Sequence, residues 1–286
     1  MRLIITGARG LLGHALINTF HDWEVCAPTS EQVDITQADQ VDALVSDIRP
    51  HVVIHSAALT RVDECEMGPE RAYLVNAHGT ENVARACARY GARLITISTD
   101  YVFSGDSEQP YGEEHAPGPR NVYGASKLAA EWATASLCPD NFAIARVSWL
   151  FGPGRPSFVD SLVDWGRAPE TTPVRVVADQ RSAPTSTRSV AWALRDIATS
   201  DCMGILHLTN RGGASRHELA RAVFDILGLA RPMEPCTSME VPTPARRPKN
   251  SQLVSSRLEP LGLPPMPEWR TELADYLLDT YKNGVS

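Results

Sequence analysis

Tyr123 and Lys127 form the residue pair whose types and spacing point most directly to chemistry. Residues four apart on a helix share a face, so the two side chains can meet over one reacting centre. A phenol has a pKa of about 10, and a nearby ammonium lowers that pKa by stabilising the phenolate. The pair therefore predicts a tyrosine that gives its proton to a carbonyl oxygen while the carbonyl carbon receives a hydride.

The scarcity of lysine makes a chance pairing rare. Of the 27 basic residues only three are lysines, namely Lys127, Lys249 and Lys282. With seven tyrosines in 286 residues, chance gives about 0.07 tyrosine–lysine pairs at this spacing. Lysine also suits the position better than arginine, because its compact charge sits on a flexible stem and can bond a ribose hydroxyl as well.

A glycine-rich turn near the start of the chain, Gly7-Ala8-Arg9-Gly10-Leu11-Leu12-Gly13, predicts a dinucleotide site. It follows an apolar strand and precedes a helical pattern, which is the context that such turns require. We expect Gly7 to make the tight turn, Gly10 to admit the pyrophosphate, and Gly13 to let helix and strand pack closely. The helix that begins at Leu11 and Leu12 then offers free N–H groups to the phosphates.

The residues after the second predicted strand favour NADPH over NADH. That strand ends at Ala27 without the carboxylate that usually bonds the ribose 2′-hydroxyl of NAD. Arg9, in the glycine turn, can pair instead with a 2′-phosphate. Asp34 falls beyond the strand end and is expected beside the adenine. NADH stays open as the alternative cofactor.

Two further polar residues are expected near the reacting centre. Thr99 follows an apolar strand, Arg93–Ser98, and ligands of open α/β sheets bind at the carboxyl ends of strands. It is therefore predicted to hydrogen-bond the same carbonyl oxygen as Tyr123. Asn76 lies within a predicted long helix, Pro69–Tyr90, where a buried amide is either a polar anchor of the core or part of a proton path.

The elements that must position these residues alternate between strand and helix over the first 150 residues. The other predicted strands there are Arg2–Thr6, Glu24–Ala27, His51–His55 and Phe142–Val147. The other predicted helices are Leu11–Phe20, Gln37–Ile48 and Asn121–Ala135. This alternation predicts parallel pairing with right-handed crossovers, and hence an α/β fold with a doubly wound parallel sheet of Rossmann type.

The pattern changes after residue 148. We expect a dinucleotide-binding domain over 1–148 and a mainly substrate-binding lobe over 149–286, with the chain returning to the first domain around 171–200. The predicted helices in this half are Phe158–Trp165, Ser189–Ala198, Ser215–Leu227 and Trp269–Tyr281, and the predicted strands are Val174–Val177 and Gly204–Thr209. Nine of the 21 prolines fall within 232–267, which predicts an extended wrap over this smaller C-terminal lobe.

Composition argues against several classes of function. The net charge of −7 disfavours a nucleic-acid partner. The six cysteines have no CxxC spacing and the eight histidines no ligand spacing, so no metal site is expected. No apolar stretch approaches the roughly 20 residues of a membrane helix, and the N-terminus lacks a signal-peptide pattern. We therefore expect a cytoplasmic protein with no membrane partner.

Taken together, these residues resemble the extended short-chain dehydrogenase/reductase family. Several segments resemble one branch of it, the dTDP-4-dehydrorhamnose reductases. The segments that carry this closer resemblance are Ala57-Ala58 with Val62-Asp63 and Glu66, Ser98-Thr99-Asp100-Tyr101-Val102-Phe103, Asn121-Val122-Tyr123-Gly124, Arg146-Val147-Ser148-Trp149, Asp179-Gln180 with Ala183-Pro184-Thr185, and Arg247-Pro248-Lys249-Asn250-Ser251.

The resemblance implies an NADPH- or NADH-dependent oxidoreductase that reduces the C4 ketone of a nucleotide-linked 4-keto-6-deoxy sugar, with dTDP-4-dehydro-L-rhamnose as substrate and dTDP-L-rhamnose as product. It implies three catalytic residues, Thr99, Tyr123 and Lys127. The implied cofactor-binding residues are Gly7, Arg9, Gly10, Leu11, Leu12, Gly13, Asp34, Ile35, Ala57, Ala58, Asn76, Tyr123 and Lys127. The implied substrate-binding residues are Val62, Asp100, Tyr101, Trp149, Arg247 and Asn250. Dimers are common in such folds, so a homodimer is a further expectation.

One departure and two alternatives qualify this interpretation. Arg181-Ser182 stands where the family usually has an aromatic or other residue followed by glycine, close to the expected substrate. A sugar-nucleotide epimerase shares the fold. A non-catalytic NADP-binding regulatory subunit shares the fold as well, since the regulatory subunit of methionine adenosyltransferase resembles this branch. The presence of both Tyr123 and Lys127 favours an enzyme.

Overall fold

The computed structural model describes residues 1–282, and a six-stranded parallel sheet lies at its centre. The strands of the chain are β1 (Arg2–Thr6), β2 (Glu24–Cys26), β3 (Val52–His55), β4 (Arg93–Thr99), β5 (Phe142–Val147), β6 (Leu150–Phe151), β7 (Val174–Val177), β8 (Arg181–Ser182), β9 (Thr185–Ser186), β10 (Gly204–His207), β11 (Ala214–Ser215) and β12 (Met233–Cys236). The sheet order is β10-β5-β4-β3-β1-β2, with each neighbouring pair parallel. The predicted doubly wound parallel α/β sheet is confirmed.

Helices cover both faces of this sheet. The helices are α1 (Leu11–Thr19), α2 (Ala38–Ile48), α3 (Val62–Met67), α4 (Pro69–Tyr73), α5 (Gly79–Tyr90), α6 (Val122–Leu137), α7 (Phe158–Arg167), α8 (Thr187–Thr199), α9 (Arg216–Leu227) and α10 (Trp269–Leu277). Successive residues of a strand face opposite sides. Leu3 and Ile5 of β1 therefore pack with α1 and α8, while Ile4 packs with α2 and α5.

A second hydrophobic core forms in the C-terminal half, where α7, α9 and α10 pack together beside β7. Between these elements the chain goes back to the large sheet: α8 packs on α1, and β10 pairs with β5. The chain is expected to return to the dinucleotide-binding domain around 171–200. Strand β7 lies inside this range, but it pairs with β12 rather than joining the large sheet. The return is therefore made by α8 and β10.

Two local differences from the predicted elements lie beside the site. The segment Val62–Met67 is helical, although no helix was predicted there. The long helix predicted over Pro69–Tyr90 is interrupted by a wider π-helical turn, Leu74–His78, between α4 and α5. The extra residue in a π turn shifts the helix face, and such turns are frequent at functional sites. This one carries Asn76.

Within residues 1–282 no helix combines the length and apolarity needed to cross a membrane. The same stretch contains no group of three or more His, Cys, Asp or Glu side chains arranged to hold a metal ion.

Candidate active site

A cavity of about 900 Å³ opens at the carboxyl ends of β1, β3, β4 and β5. The order of strands reverses between β1 and β3, and open α/β sheets bind their ligands at such a point. Most of the predicted site residues line this cavity. They are Gly7, Arg9, Gly10, Leu11, Leu12, Gly13, Asp34, Ile35, Ala57, Ala58, Val62, Thr99, Asp100, Tyr101, Tyr123, Lys127 and Trp149.

The glycine turn forms a cradle that side chains would fill. Gly7 has a φ of +73°, and a Cβ built on it would lie 2.6 Å from the backbone nitrogen of Ala57. A Cβ on Gly10 would lie 3.0 Å from the carbonyl oxygen of Gly7, and one on Gly13 would overlap the backbone of the turn. Helix α1 begins here with no side-chain cap and no acidic residue in its first turn. Its N–H groups and positive dipole end therefore suit a pyrophosphate.

The ribose end of the cradle holds an ion pair. The Arg9 guanidinium lies 3.1 Å from a carboxylate oxygen of Glu31, and both side chains are largely exposed. A hydrogen bond from Thr29, a hydrogen bond from the backbone and then the charge of Arg9 hold the pKa of Glu31 below its usual value. Glu31 would compete with a 2′-phosphate for Arg9, and nothing in the sequence pattern signalled this competition. The preference for NADPH stays a prediction.

Asp34 is turned toward its own chain. Its Oδ1 accepts hydrogen bonds from the N–H and the hydroxyl of Thr36, both at 2.9 Å. This fixes the loop before α2 against the cavity wall. The adjacent Ile35 is buried, and its side chain would contact a Cβ placed on Gly79. Both residues thus shape the wall where the adenine is expected.

Tyr123 is held at the start of α6 by contacts that fix the helix end. Asn121 caps the helix, its Oδ1 accepting from the Gly124 N–H at 2.8 Å, and Glu66 accepts from the Val122 N–H at 2.9 Å. Gly124 lacks a side chain where a Cβ would overlap the Tyr101 carbonyl. The helix can therefore approach the end of β4, and the rings of Tyr101 and Tyr123 meet edge to face at 5.9 Å.

Burial, rather than the lysine, sets the acidity of Tyr123. Burial raises the pKa of Tyr123 above its ordinary value, and the Thr99 hydroxyl opposes that rise. The prediction that the pKa of Tyr123 is lowered is therefore wrong, because the desolvation that comes with burial outweighs the hydrogen bond from Thr99. Lys127 is itself only 3% exposed, and its burial lowers its pKa to about 8 while Glu131 opposes this change.

Thr99 ends β4 beside a buried carboxylate. Its hydroxyl accepts from the Tyr101 N–H at 3.2 Å and donates to Asp100 Oδ1 at 3.0 Å. Asp100 also accepts from the hydroxyls of Ser182 and Ser251. Burial raises the pKa of Asp100 to about 6, although these hydrogen bonds lower it. Asp100 therefore makes bonds within the protein, in addition to its place in the wall.

Asn76 connects the segment after β3 to helix α6 through buried hydrogen bonds. Its side chain accepts from the Leu59 N–H at 2.7 Å and donates to the Leu59 carbonyl at 3.1 Å and to Ser126 Oγ at 2.9 Å. Ser126 in turn donates to the Tyr123 carbonyl. Asn76 is fully buried and is not among the described residues that line the cavity. Of the two readings of this residue, the contacts support the polar anchor.

The expected nucleotide-sugar contacts divide into two groups. Val62, Tyr101 and Trp149 line the cavity. Arg247 does not, because both its terminal nitrogens bind the carboxylate of Asp63, at 2.5 and 2.7 Å. This bond holds the pKa of Asp63 below its usual value.

Asn250, the other expected contact of the C-terminal wrap, is also absent from the described lining of the cavity. Its side chain donates to the Ser107 carbonyl at 2.9 Å. Asn250 therefore fastens the wrap to the loop that follows β4.

Arg216 is a cationic residue that the sequence did not single out, and it lies beside the large cavity rather than in its described lining. Its guanidinium lies 4.4 Å from the ring centre of Trp149 and 5.0 Å from that of Phe158. These residues also line a smaller cavity of about 210 Å³ that shares Trp149 and Phe158 with the large one. Within residues 1–282, Arg216 has no carboxylate within ion-pair distance. Its charge is therefore available to an anionic ligand.

Comparison with known proteins gives the same family from sequence and from structure. The family model described as the RmlD substrate binding domain matches residues 1–282. A dTDP-4-dehydrorhamnose reductase of Streptomyces griseus is 40% identical over 96% of this chain and 92% of its own length. This chain belongs to the dTDP-4-dehydrorhamnose reductase family.

Two further comparisons agree. A dTDP-4-keto-6-deoxy-D-glucose reductase of Streptomyces niveus is 36% identical over 95% of each chain. The crystal structure of a dTDP-4-dehydrorhamnose reductase from Bacillus anthracis in complex with NADP superposes with a TM-score of 0.94, at 36% identity, over 97% of this chain and 99% of that one. Membership of the family confirms the predicted class of enzyme, an NAD(P)H-dependent oxidoreductase of the short-chain dehydrogenase/reductase type.

Proposed function

We propose that this enzyme reduces the C4 ketone of a dTDP-linked 4-keto-6-deoxy sugar, with dTDP-4-dehydro-L-rhamnose as substrate and dTDP-L-rhamnose as product. One observation carries the proposal: Thr99, Tyr123 and Lys127 converge on one cavity with the glycine cradle of α1. A proton donor and a dinucleotide site thus share one space. The family to which the chain belongs supplies the sugar class.

The residues of the catalytic end provide the proton half of the reduction. When bound, the reduced nicotinamide supplies a hydride to C4. Tyr123 gives its phenolic proton to O4, so that the ketone becomes a secondary alcohol. A phenol with its ordinary pKa of about 10 is protonated at neutral pH, and burial raises the pKa of Tyr123 further, so the residue is in the form that a donor needs. The Lys127 ammonium then stabilises the phenolate that remains.

The substrate end of the cavity offers groups that suit an anionic nucleotide sugar. Tyr101 and Trp149 line the cavity and are proposed to contact the sugar ring. Arg216 is proposed to bind the diphosphate, because a guanidinium matches phosphate oxygens through paired hydrogen bonds. Arg247 is a weaker candidate, since binding a ligand would require it to leave Asp63.

The two alternative functions lack support of this kind. A regulatory subunit needs no proton donor, yet both Tyr123 and Lys127 face the cavity. An epimerase shares the fold, but the relatives that show the family are named as reductases.

Turnover of defined sugars tests the proposal. The loss of NADPH absorbance is followed with dTDP-4-dehydro-L-rhamnose, and the product is identified by its C4 configuration. UDP- and GDP-linked analogues, and the D-sugar epimer, serve as comparisons. We expect consumption that depends on both enzyme and dTDP sugar, with dTDP-L-rhamnose as the product. Tight NADPH binding without consumption of any keto sugar would refute the proposal and favour the regulatory subunit.

A further inference from the structure

The carboxylate of Asp100 is a buried junction between β4 and two distant segments of the chain. Its Oδ1 accepts from the Thr99 hydroxyl at 3.0 Å, and its Oδ2 accepts from Ser182 at 3.0 Å and from Ser251 at 2.5 Å. All three hydroxyl residues are buried. Neither serine is found among the described residues lining the cavity, whereas Asp100 and Thr99 both line it.

This arrangement uses the single proton of the Thr99 hydroxyl. A hydroxyl has one O–H donor and two acceptor lone pairs. Here the proton goes to Asp100, and one lone pair accepts from the Tyr101 N–H. Thr99 therefore faces the cavity as an acceptor. To bond the oxygen of a ketone, which only accepts, Thr99 must turn its proton away from Asp100.

The two serines determine how firmly Asp100 holds that proton. Hydrogen bonds to Oδ2 compensate part of the carboxylate charge and leave Oδ1 a weaker acceptor. They also keep the buried carboxylate satisfied when Thr99 turns to the ligand, which avoids the penalty of an unpaired buried charge. Without them, Asp100 would retain the Thr99 proton more strongly.

We propose that Asp100 is a positioning residue which, together with Ser182 and Ser251, sets how readily the Thr99 hydroxyl turns from the carboxylate to the ketone oxygen. This inference rests on the proposed function and adds to it two residues outside the cavity. It also gives a role to Ser182, whose hydroxyl donates to Asp100 at 3.0 Å.

A double-mutant cycle tests the proposal, because it measures whether two residues act through each other. Ser251→Ala is made in the wild type and in Thr99→Val, which keeps the shape of the side chain but removes its hydroxyl. We expect Ser251→Ala to lower kcat about ten-fold in the wild type and by less than about two-fold in Thr99→Val. The Kd for NADPH should be the same in all four proteins. Ser182→Ala should behave in the same way.

A structural role would give a different result. If Ser251 only stabilises the fold, its loss should reduce kcat by the same factor in both backgrounds, and that result overturns the proposal. An unchanged kcat in the wild-type background overturns it as well. Ser189→Ala is the matched control, since this buried serine bonds Asn210 rather than Asp100. It should leave kcat unchanged.

A second measurement does not depend on turnover and so separates this proposal from the proposed function. The carboxyl carbon of Asp100, assigned by its loss in Asp100→Asn, is titrated by NMR. Each lost hydroxyl should raise the pKa of Asp100 from its wild-type value of about 6. If the pKa of Asp100 is the same in the wild type, in Ser251→Ala and in Thr99→Val, these hydroxyls do not bond the carboxylate and the proposal is refuted. Failure of the proposed function appears instead as absent turnover in the wild type.

Discussion

Replacing Lys127 by methionine should abolish activity and yet stabilise the fold at neutral pH. The side chain is 3% exposed, and burial lowers its pKa from 10.5 to about 8. That shift corresponds to about 3 kcal/mol of cost for keeping the buried ammonium charged. Methionine has a similar length and no charge, so it fills the space without that cost.

The pH dependence of the stability gained by Lys127→Met follows from the pKa values of Lys127 in the folded and unfolded states. Below pH of about 8 the lysine is charged in both the folded and the unfolded state, and the full cost is present. Between about 8 and 10.5 the folded state has lost the proton and the unfolded state retains it, so the stability of the wild type rises with pH. The advantage of Lys127→Met should therefore be greatest below that window and disappear across it.

Denaturant unfolding at neutral pH and at the alkaline end of the window measures this difference. Lys249→Met is the matched control, because Lys249 is exposed and should give nearly the same free energy of unfolding as the wild type at both pH values. Destabilisation by Lys127→Met at neutral pH would refute the reasoning. So would a gain that does not depend on pH. Destabilisation would show that contacts stabilise the buried ammonium, whereas a gain independent of pH would show that the pKa of Lys127 is not lowered in the folded state.

Three further perturbations test the cradle and the two ends of the cavity. Arg9→Ala should lower the affinity for NADPH about ten-fold and leave the affinity for NADH nearly unchanged, whereas Glu31→Gln should raise the affinity for NADPH. An equal loss of affinity for both cofactors would show that Arg9 is not the phosphate contact. Arg216→Gln should raise the KM for the dTDP sugar about ten-fold with little change in kcat, and an unchanged KM would remove Arg216 from the diphosphate site. Gly7→Ala should prevent cofactor binding, measured by titration, and cost more stability than Gly91→Ala, which has the same φ of +73° but open space around it and should cost about 1–2 kcal/mol.

The features that the sequence predicted correctly are those set by short-range spacing. The glycine turn is defined by seven consecutive residues, and Tyr123 and Lys127 by one turn of a helix. The alternation of strands and helices is likewise local, and it was sufficient to predict the parallel sheet. Each of these patterns can be interpreted without knowing where distant parts of the chain lie in the fold.

The features that the sequence did not predict depend on residues far apart. Arg247 was expected at the sugar nucleotide, but its carboxylate partner, Asp63, lies 184 positions away. The bond between Asp100 and Ser251 spans 151 positions. Spacing rules carry no information about such pairs. The prediction of a lowered pKa for Tyr123 was wrong for a related reason, because the burial that raises this pKa is a property of the folded molecule. The homodimer and the division at residue 148 stay predictions.

The most direct test of the account is the rate of hydride transfer in Tyr123→Phe. Enzyme loaded with NADPH is mixed with the dTDP-4-keto sugar in a stopped-flow instrument, and NADPH binding is titrated separately. Tyr90→Phe is the control, since its hydroxyl bonds Asp42 of α2 and Tyr90 is not among the described residues that line the cavity. We expect a loss of about 10²- to 10⁴-fold in rate with an unchanged Kd for NADPH. A Tyr123→Phe enzyme that reduces the sugar at the wild-type rate would contradict the assignment of Tyr123 as the proton donor.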